Sequence, residues 1–114
     1  MHEQHQACIN ACTRCAVECE HCFTACLKET DLQARTHCVE LLRDCIDICL
    51  LAVSYMARGS DHAKPLCELC AQICAACGAE CARFQDEHCQ GCAAECRRCV
   101  EECNKMAGKV PAMA

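Results

Sequence analysis

The stretch of residues 8–26 reads CINACTRCAVECEHCFTAC, and its cysteines are separated by steps of 4, 3, 4, 3 and 4 residues. An α-helix makes one turn in about 3.6 residues, so side chains spaced in this way return to one face. Helices of globular proteins normally build such a stripe from Leu and Ile. Here every position of the stripe carries a thiol. The sequence therefore predicts a helix whose inner face is made of sulfur atoms.

Three further stripes follow, and a slip in their phase marks where one helix ends and the next begins. We expect helices at about residues 5–28, 31–58, from between 61 and 65 to about 84, and 86–106. Four helices of similar length with short connectors predict an all-α, antiparallel up-down-up-down bundle with a cysteine-lined core. We assign the bundle to residues 1–107 and a flexible C-terminal tail to residues 108–114.

Local signals at the connectors support these boundaries. Thr30 followed by Gln33 has the form of a capping box that opens the second helix, and Gly59 suits the position just after its end. Ser60 or Asp61 can cap the third helix, and Asp86 is the predicted N-cap of the fourth. Gly78, inside the third helix, would permit a close contact between helices.

The cysteine content and the N-terminal residues indicate the cellular compartment. The chain has 114 residues, of which 19 are cysteines, an odd number. The N-terminal residues show neither the basic segment nor the apolar segment of a secretory signal peptide. Long helical patterns are also atypical of small secreted disulfide scaffolds, which are rich in loops. We therefore expect a cytoplasmic protein whose thiols are free or bound to metal.

Charge and composition exclude two other classes of function. The formal net charge is −5, the basic residues are not clustered, and the chain contains one Tyr, two Phe and no Trp. Nucleic-acid binding is therefore not expected, because it needs basic patches and aromatic stacking surfaces. The longest apolar run, residues 48–53, is far too short to span a membrane.

Thiols on facing helices favour a soft metal ion. Cu(I) accepts two or three thiolates, whereas Zn(II) prefers four ligands in a tetrahedron, commonly on turns. Iron–sulfur clusters use cysteine runs on loops, and the chain has none of those runs. Each Cu(I) brings one positive charge, so electroneutrality favours about one ion per thiolate. We predict that metal is bound by every cysteine: Cys8, Cys12, Cys15, Cys19, Cys22, Cys26, Cys38, Cys45, Cys49, Cys67, Cys70, Cys74, Cys77, Cys81, Cys89, Cys92, Cys96, Cys99 and Cys103.

The repeated CxxxCxxCxxxCxxC stripes, spread over residues 5–106, resemble the cytosolic branch of the bacterial copper storage proteins. The resemblance implies a four-helix bundle, usually a homotetramer, that stores many Cu(I) ions along its core. Copper donor and acceptor proteins are further candidate partners. The chain departs from the pattern in its second helix, whose stripe keeps only Cys38, Cys45 and Cys49.

Two alternatives use the same thiols. Sequestration of zinc or of another soft metal needs no other residues and stays open. A thiol oxidoreductase is disfavoured, because a redox CxxC pair belongs at an exposed helix N-terminus and these pairs lie in mid-helix. We therefore expect no enzymatic activity. The second helix also carries aliphatic residues off its stripe, which fit either packing within the bundle or a subunit interface.

One end of the predicted bundle carries ligands that bind Cu(I) less tightly than the thiolates of the core do. His5, Met56 and Met106 lie on the stripes there, with His62 beside them. Thioether and imidazole groups can pass Cu(I) inward without holding it as tightly as thiolates do. Methionine is also a common gap-filler in cores, so packing alone is the alternative explanation.

Overall fold

The computed structural model describes residues 2–108, and its side chains from His5 onward. The all-α prediction is confirmed, and the first helix begins three residues before its predicted start. None of the helices in the described part has an apolar stretch that could cross a lipid bilayer. The tail predicted at 108–114 lies, apart from Gly108, outside the described residues. Within residues 2–108 there are four α-helices and one 3₁₀ turn: α1 His2–Leu27, the turn Leu32–Arg35, α2 Thr36–Ala57, α3 Ala63–Cys81 and α4 Glu87–Met106.

The helices form a closed ring in which each packs against its neighbours along the chain, and α1 also packs against α4. Short connectors make consecutive helices antiparallel, so the predicted up-down-up-down order is confirmed. One end of the bundle contains the starts of α1 and α3, and we call it the methionine end after Met56 and Met106. The opposite end, which we call the arginine end, contains Arg35 and His88.

The connector between α1 and α2 differs from the prediction. The capping box expected at Thr30 and Gln33 does not start the α-helix, because a 3₁₀ turn precedes α2, which begins at Thr36. Asp31 stands before that turn but makes no side-chain capping bond. Its carboxylate instead accepts a hydrogen bond of 2.6 Å from Nε of Arg35. The strong partner for a carboxylate here is a cation, not a backbone amide.

The other helix boundaries agree more closely with the sequence. Gly59 follows α2 with a φ of +66°, the left-handed conformation expected after a helix end. The N-cap of α3 is His62, so the prediction of Ser60 or Asp61 as its cap is wrong, although the Ser60 hydroxyl accepts a hydrogen bond of 3.0 Å from the backbone N–H of His62. Asp86 occupies the N-cap position of α4 but makes no side-chain capping bond. Its carboxylate also binds Arg35, at 2.6 Å.

The core is built mainly from thiols and small residues. Each of the 19 cysteines has 0% of its surface exposed, and all are reduced. Leu42 and Ile46 of α2 are the largest aliphatic side chains among the fully buried residues. At Gly78 an added Cβ would lie 3.0 Å from Cβ of Cys96, which confirms the predicted close contact between helices. The absence of a side chain there brings α3 near enough to α4 for their sulfur atoms to face each other.

Candidate metal core

The sulfur atoms form a network of contacts along the bundle axis. Cys12 and Cys103 are 3.6 Å apart, Cys15 and Cys45 are also 3.6 Å apart, and Cys19 and Cys92 are 3.5 Å apart. These contacts cross between helices, because the i,i+3 and i,i+4 stripes face one another at the centre of the ring. Within single helices, i,i+4 pairs such as Cys99 and Cys103 approach to 3.8 Å. The prediction that the thiols share one interior is confirmed.

Several sets of four sulfur atoms are compact enough to hold a metal ion. In each set the ligand atoms lie within 4.8 Å of one another. The sets overlap, so that one sulfur belongs to more than one of them. Such overlap is what bridging thiolates need in order to bind neighbouring ions. Four of the sets are Cys12/Cys49/Cys70/Cys99, Cys15/Cys49/Cys74/Cys99, Cys15/Cys19/Cys45/Cys96 and Cys19/Cys77/Cys92/Cys96.

Hydrogen bonds between the thiols raise the pKa of some cysteines and lower the pKa of others. The pKa of Cys12 is lowered by hydrogen bonds from Cys103 and from other thiols, against the opposing effect of burial. The pKa of Cys103 is raised by hydrogen bonds that include the one to Cys12, and burial raises it further. At one edge of the network, burial raises the pKa of Cys89 to about 12. Much of the core therefore holds protons, which a metal ion has to displace.

At the arginine end the structure shows a candidate ligand that was not predicted from the sequence, His88. Its Nδ1 lies 3.3 Å from Sγ of Cys22 and 3.5 Å from Sγ of Cys89. Its Nε2 lies 3.1 Å from Oε2 of Glu29. A carboxylate only accepts hydrogen bonds, so in a neutral imidazole this contact favours the tautomer with the proton on Nε2, in which Nδ1 is free to bind metal. His88 forms a further compact ligand set with Cys22, Cys26 and Cys89.

Arg35 is the second residue at this end that the sequence analysis missed. Only 4% of its surface is exposed, and its Nη1 donates to Sγ of Cys89 at 3.5 Å and of Cys26 at 3.7 Å. Burial opposes the charge of the guanidinium, but hydrogen bonds to Asp31 and Asp86 outweigh it and raise the pKa of Arg35 above its ordinary value. The side chain is therefore a fixed cation beside two candidate ligands.

The methionine end is closed by apolar groups. Met56, Met106 and Ala63 are buried in the core, His5 is half-buried and His62 is exposed. These residues share one end of the bundle, as their positions on the stripes predicted. Binding of copper by His5, Met56, His62 and Met106 stays a prediction.

Comparison with known proteins agrees with this geometry. The family model described as copper storage protein matches residues 1–108. The chain belongs to the copper storage protein family. The match spans all four stripes, so the family resemblance inferred from the cysteine spacing is confirmed.

Related proteins align with nearly the whole chain. A cysteine-rich protein of Bacillus subtilis, described as uncharacterised, is 47% identical over 107 residues, which are 94% of this chain and 99% of the relative. The Cu(I)-bound copper storage protein BsCsp3, of Bacillus subtilis, has a TM-score of 0.88 at 47% identity, with 91% of this chain and 98% of that chain covered. A cytosolic copper storage protein of Streptomyces lividans, loaded with five coppers, has a TM-score of 0.90 at 36% identity and 96% coverage of both chains.

Proposed function

We propose that this protein stores many Cu(I) ions in the cytoplasm, bound by the thiolates of its core. One observation carries the proposal: the cysteines are all buried, and contacts of 3.5–3.9 Å join sulfur atoms of different helices. A trafficking protein needs one site, whereas this interior offers overlapping sites along its length. The cytosolic location of the Streptomyces lividans relative supports the same compartment here.

The chemistry of storage follows from charge. An ionised thiolate in a buried core is costly unless a cation accompanies it, and Cu(I) supplies one positive charge as each thiol gives up its proton. Sulfur atoms that bridge two ions keep the ratio of metal to thiolate near one. Every CxxC pair of the chain is fully buried, whereas a redox CxxC pair belongs at an exposed helix N-terminus, so we propose that the protein is not an enzyme.

A terminal site is formed at the arginine end by His88 with three thiols. Imidazole and thiolate are both ligands that bind Cu(I). Glu29 holds the imidazole so that Nδ1 faces the sulfur atoms of Cys22 and Cys89. We therefore add His88 to the 19 cysteines as a copper ligand.

Oligomerisation is supported by apolar side chains on the outer surface. Leu50 and Leu51 of α2, Leu69 of α3 and Val17 of α1 are exposed. Ile46 and Ile48 of the same α2 helix are buried within the bundle. The aliphatic residues of α2 therefore divide between internal packing and an outer face. We propose that this outer face contributes to a homotetramer.

Titration of the fully reduced protein with Cu(I) tests the storage function. The number of tightly bound ions should approach the 19 thiols, with protons released as the thiols ionise. A parallel titration with Zn(II) separates the alternative of zinc sequestration, because four thiolates for each ion would limit zinc to about four or five ions. A plateau at one or two Cu(I) ions would contradict storage.

The methionine end is tested by changing Met56→Leu together with Met106→Leu. This double change keeps the apolar volume and removes both thioethers. If the thioethers pass copper inward, uptake measured by stopped-flow absorbance should slow while the final number of bound ions stays at the wild-type value. Unchanged uptake kinetics would show that the two methionines only fill space.

A further inference from the structure

Arg35 is held in one orientation by partners on three sides. Its Nε and Nη2 each donate a hydrogen bond of 2.6 Å, the first to Asp31 and the second to Asp86. Its guanidinium carbon lies 4.5 Å from the centroid of the Phe84 ring. A planar guanidinium with two carboxylate partners and an aromatic face has little freedom to turn. The remaining nitrogen, Nη1, is therefore fixed towards the sulfur atoms.

The carboxylates and the sulfur atoms lie on different sides of this cation. Asp31 has 50% and Asp86 26% of its side chain exposed, so water screens much of their negative charge. The sulfur atoms of Cys26 and Cys89 are fully buried and contact Nη1 directly, at 3.7 and 3.5 Å. Attraction between opposite charges is much stronger on the buried side.

We infer that Arg35 is a positioning residue that retains copper in the terminal site of Cys22, Cys26, Cys89 and His88. The inference rests on the proposed storage function. A Cu(I) ion held by two thiolates carries a net negative charge, and a fixed guanidinium next to those sulfur atoms stabilises it. A thiolate sulfur has more than one lone pair, so it binds copper and accepts an N–H at the same time. The Arg35 side chain also lies between the sulfur atoms and the carboxylates of Asp31 and Asp86, and so covers the sulfur atoms on that side.

The test compares Arg35→Met with wild-type protein, both fully loaded with Cu(I). Transfer of copper to an excess of the chromophoric chelator bicinchoninate is followed by absorbance. Loss of a charge-assisted hydrogen bond should accelerate the release of about one or two ions by about tenfold or more, while the remaining ions leave at the wild-type rate. Arg83→Met is the matched control. Arg83 also lies over Phe84, at 5.8 Å, but its partner is Glu80 at 2.9 Å.

A second comparison separates this role from a general structural one. In a Cys26→Ala/Cys89→Ala background the sulfur partners of Nη1 are gone, so Arg35→Met should no longer accelerate release. An equal acceleration in that background would overturn the inference, as would wild-type release kinetics in Arg35→Met itself.

If circular dichroism shows that Arg35→Met does not fold, Arg35→Lys replaces it, because one ammonium cannot bridge two carboxylates and reach the sulfur atoms. Normal retention in Arg35→Lys would then overturn the inference. Failure of the proposed storage function would be distinguishable from failure of this inference, because the wild-type protein itself would then bind only one or two Cu(I) ions.

Discussion

Loading the reduced protein with Cu(I) should raise the midpoint of its thermal unfolding by at least about 20 °C. A site that is filled only in the folded state adds about 4 kcal/mol when free ligand is about 1,000 times the dissociation constant. Two such sites already add about 8 kcal/mol, and one kcal/mol corresponds to about 4 °C for a domain of this size. The unfolded chain also binds copper through its thiols, which reduces the effect. Sulfur atoms already placed 3.5–4.0 Å apart still favour the folded state.

The reference for this measurement is the metal-free protein, which should itself be helical. Protonated thiols are apolar enough to pack, and the pKa of Cys89, raised to about 12 by burial, keeps that thiol neutral near pH 7. Circular dichroism during heating gives both midpoints. A reduced, metal-free chain without helical structure would contradict the reasoning, because copper would then create the fold. An equal midpoint with and without copper would show that copper binds no more tightly to the folded chain than to the unfolded chain.

The stripe of cysteines was sufficient to predict most of this fold. A repeat of 4 and 3 residues places side chains on one helical face, whatever the chemistry of those side chains. The phase slips therefore located the helices, and every thiol on a stripe proved to be buried. The overlapping sets of sulfur atoms follow from packing four such faces together.

The residues that were missed lie outside the periodic pattern. His88 is next to Cys89 in sequence, in the first turn of α4, and reaches its sulfur neighbours from the side of the stripe. Arg35 is in a connector, and arginine is rarely buried, so no sequence rule places it in a core. The side-chain caps were not predictable either, because Arg35 takes the carboxylates that could form them. Asp31 lies four residues before Arg35 in sequence and Asp86 lies in the distant connector before α4, and both bind the guanidinium and make no side-chain capping bond.

Replacing Cys49 should remove more copper than the loss of one ligand. Its sulfur lies within 4.0 Å of four others, on its own helix, on the neighbouring α3 and on α4 across the bundle: Cys45 at 4.0 Å, Cys70 at 3.8 Å, Cys74 at 3.7 Å and Cys99 at 3.9 Å. It also belongs to two of the compact sets of four sulfur atoms. If thiolates bridge neighbouring ions, Cys49→Ala should lower the number of tightly bound Cu(I) ions by about two or more.

Cys38→Ala is the matched control for this change. Cys38 is on the same helix, is equally buried, and contacts Cys81 at 3.7 Å towards one end of the core. Cys38→Ala and Cys49→Ala each remove one buried sulfur atom, so both variants should lose a similar, small amount of stability, about 1 kcal/mol. Circular dichroism checks that both variants fold. Cys38→Ala should lower the copper count by about one ion or less.

The two counts are obtained by anaerobic titration against a competing Cu(I) chelator, followed by metal analysis of the desalted protein. A larger loss in Cys49→Ala means that the sulfur at the centre of the bundle holds several ions together, as a continuous cluster requires. Equal losses in the two variants would contradict this prediction. The core would then be a set of independent sites, each with its own ligands, and the contacts between sulfur atoms would contribute packing without bridging.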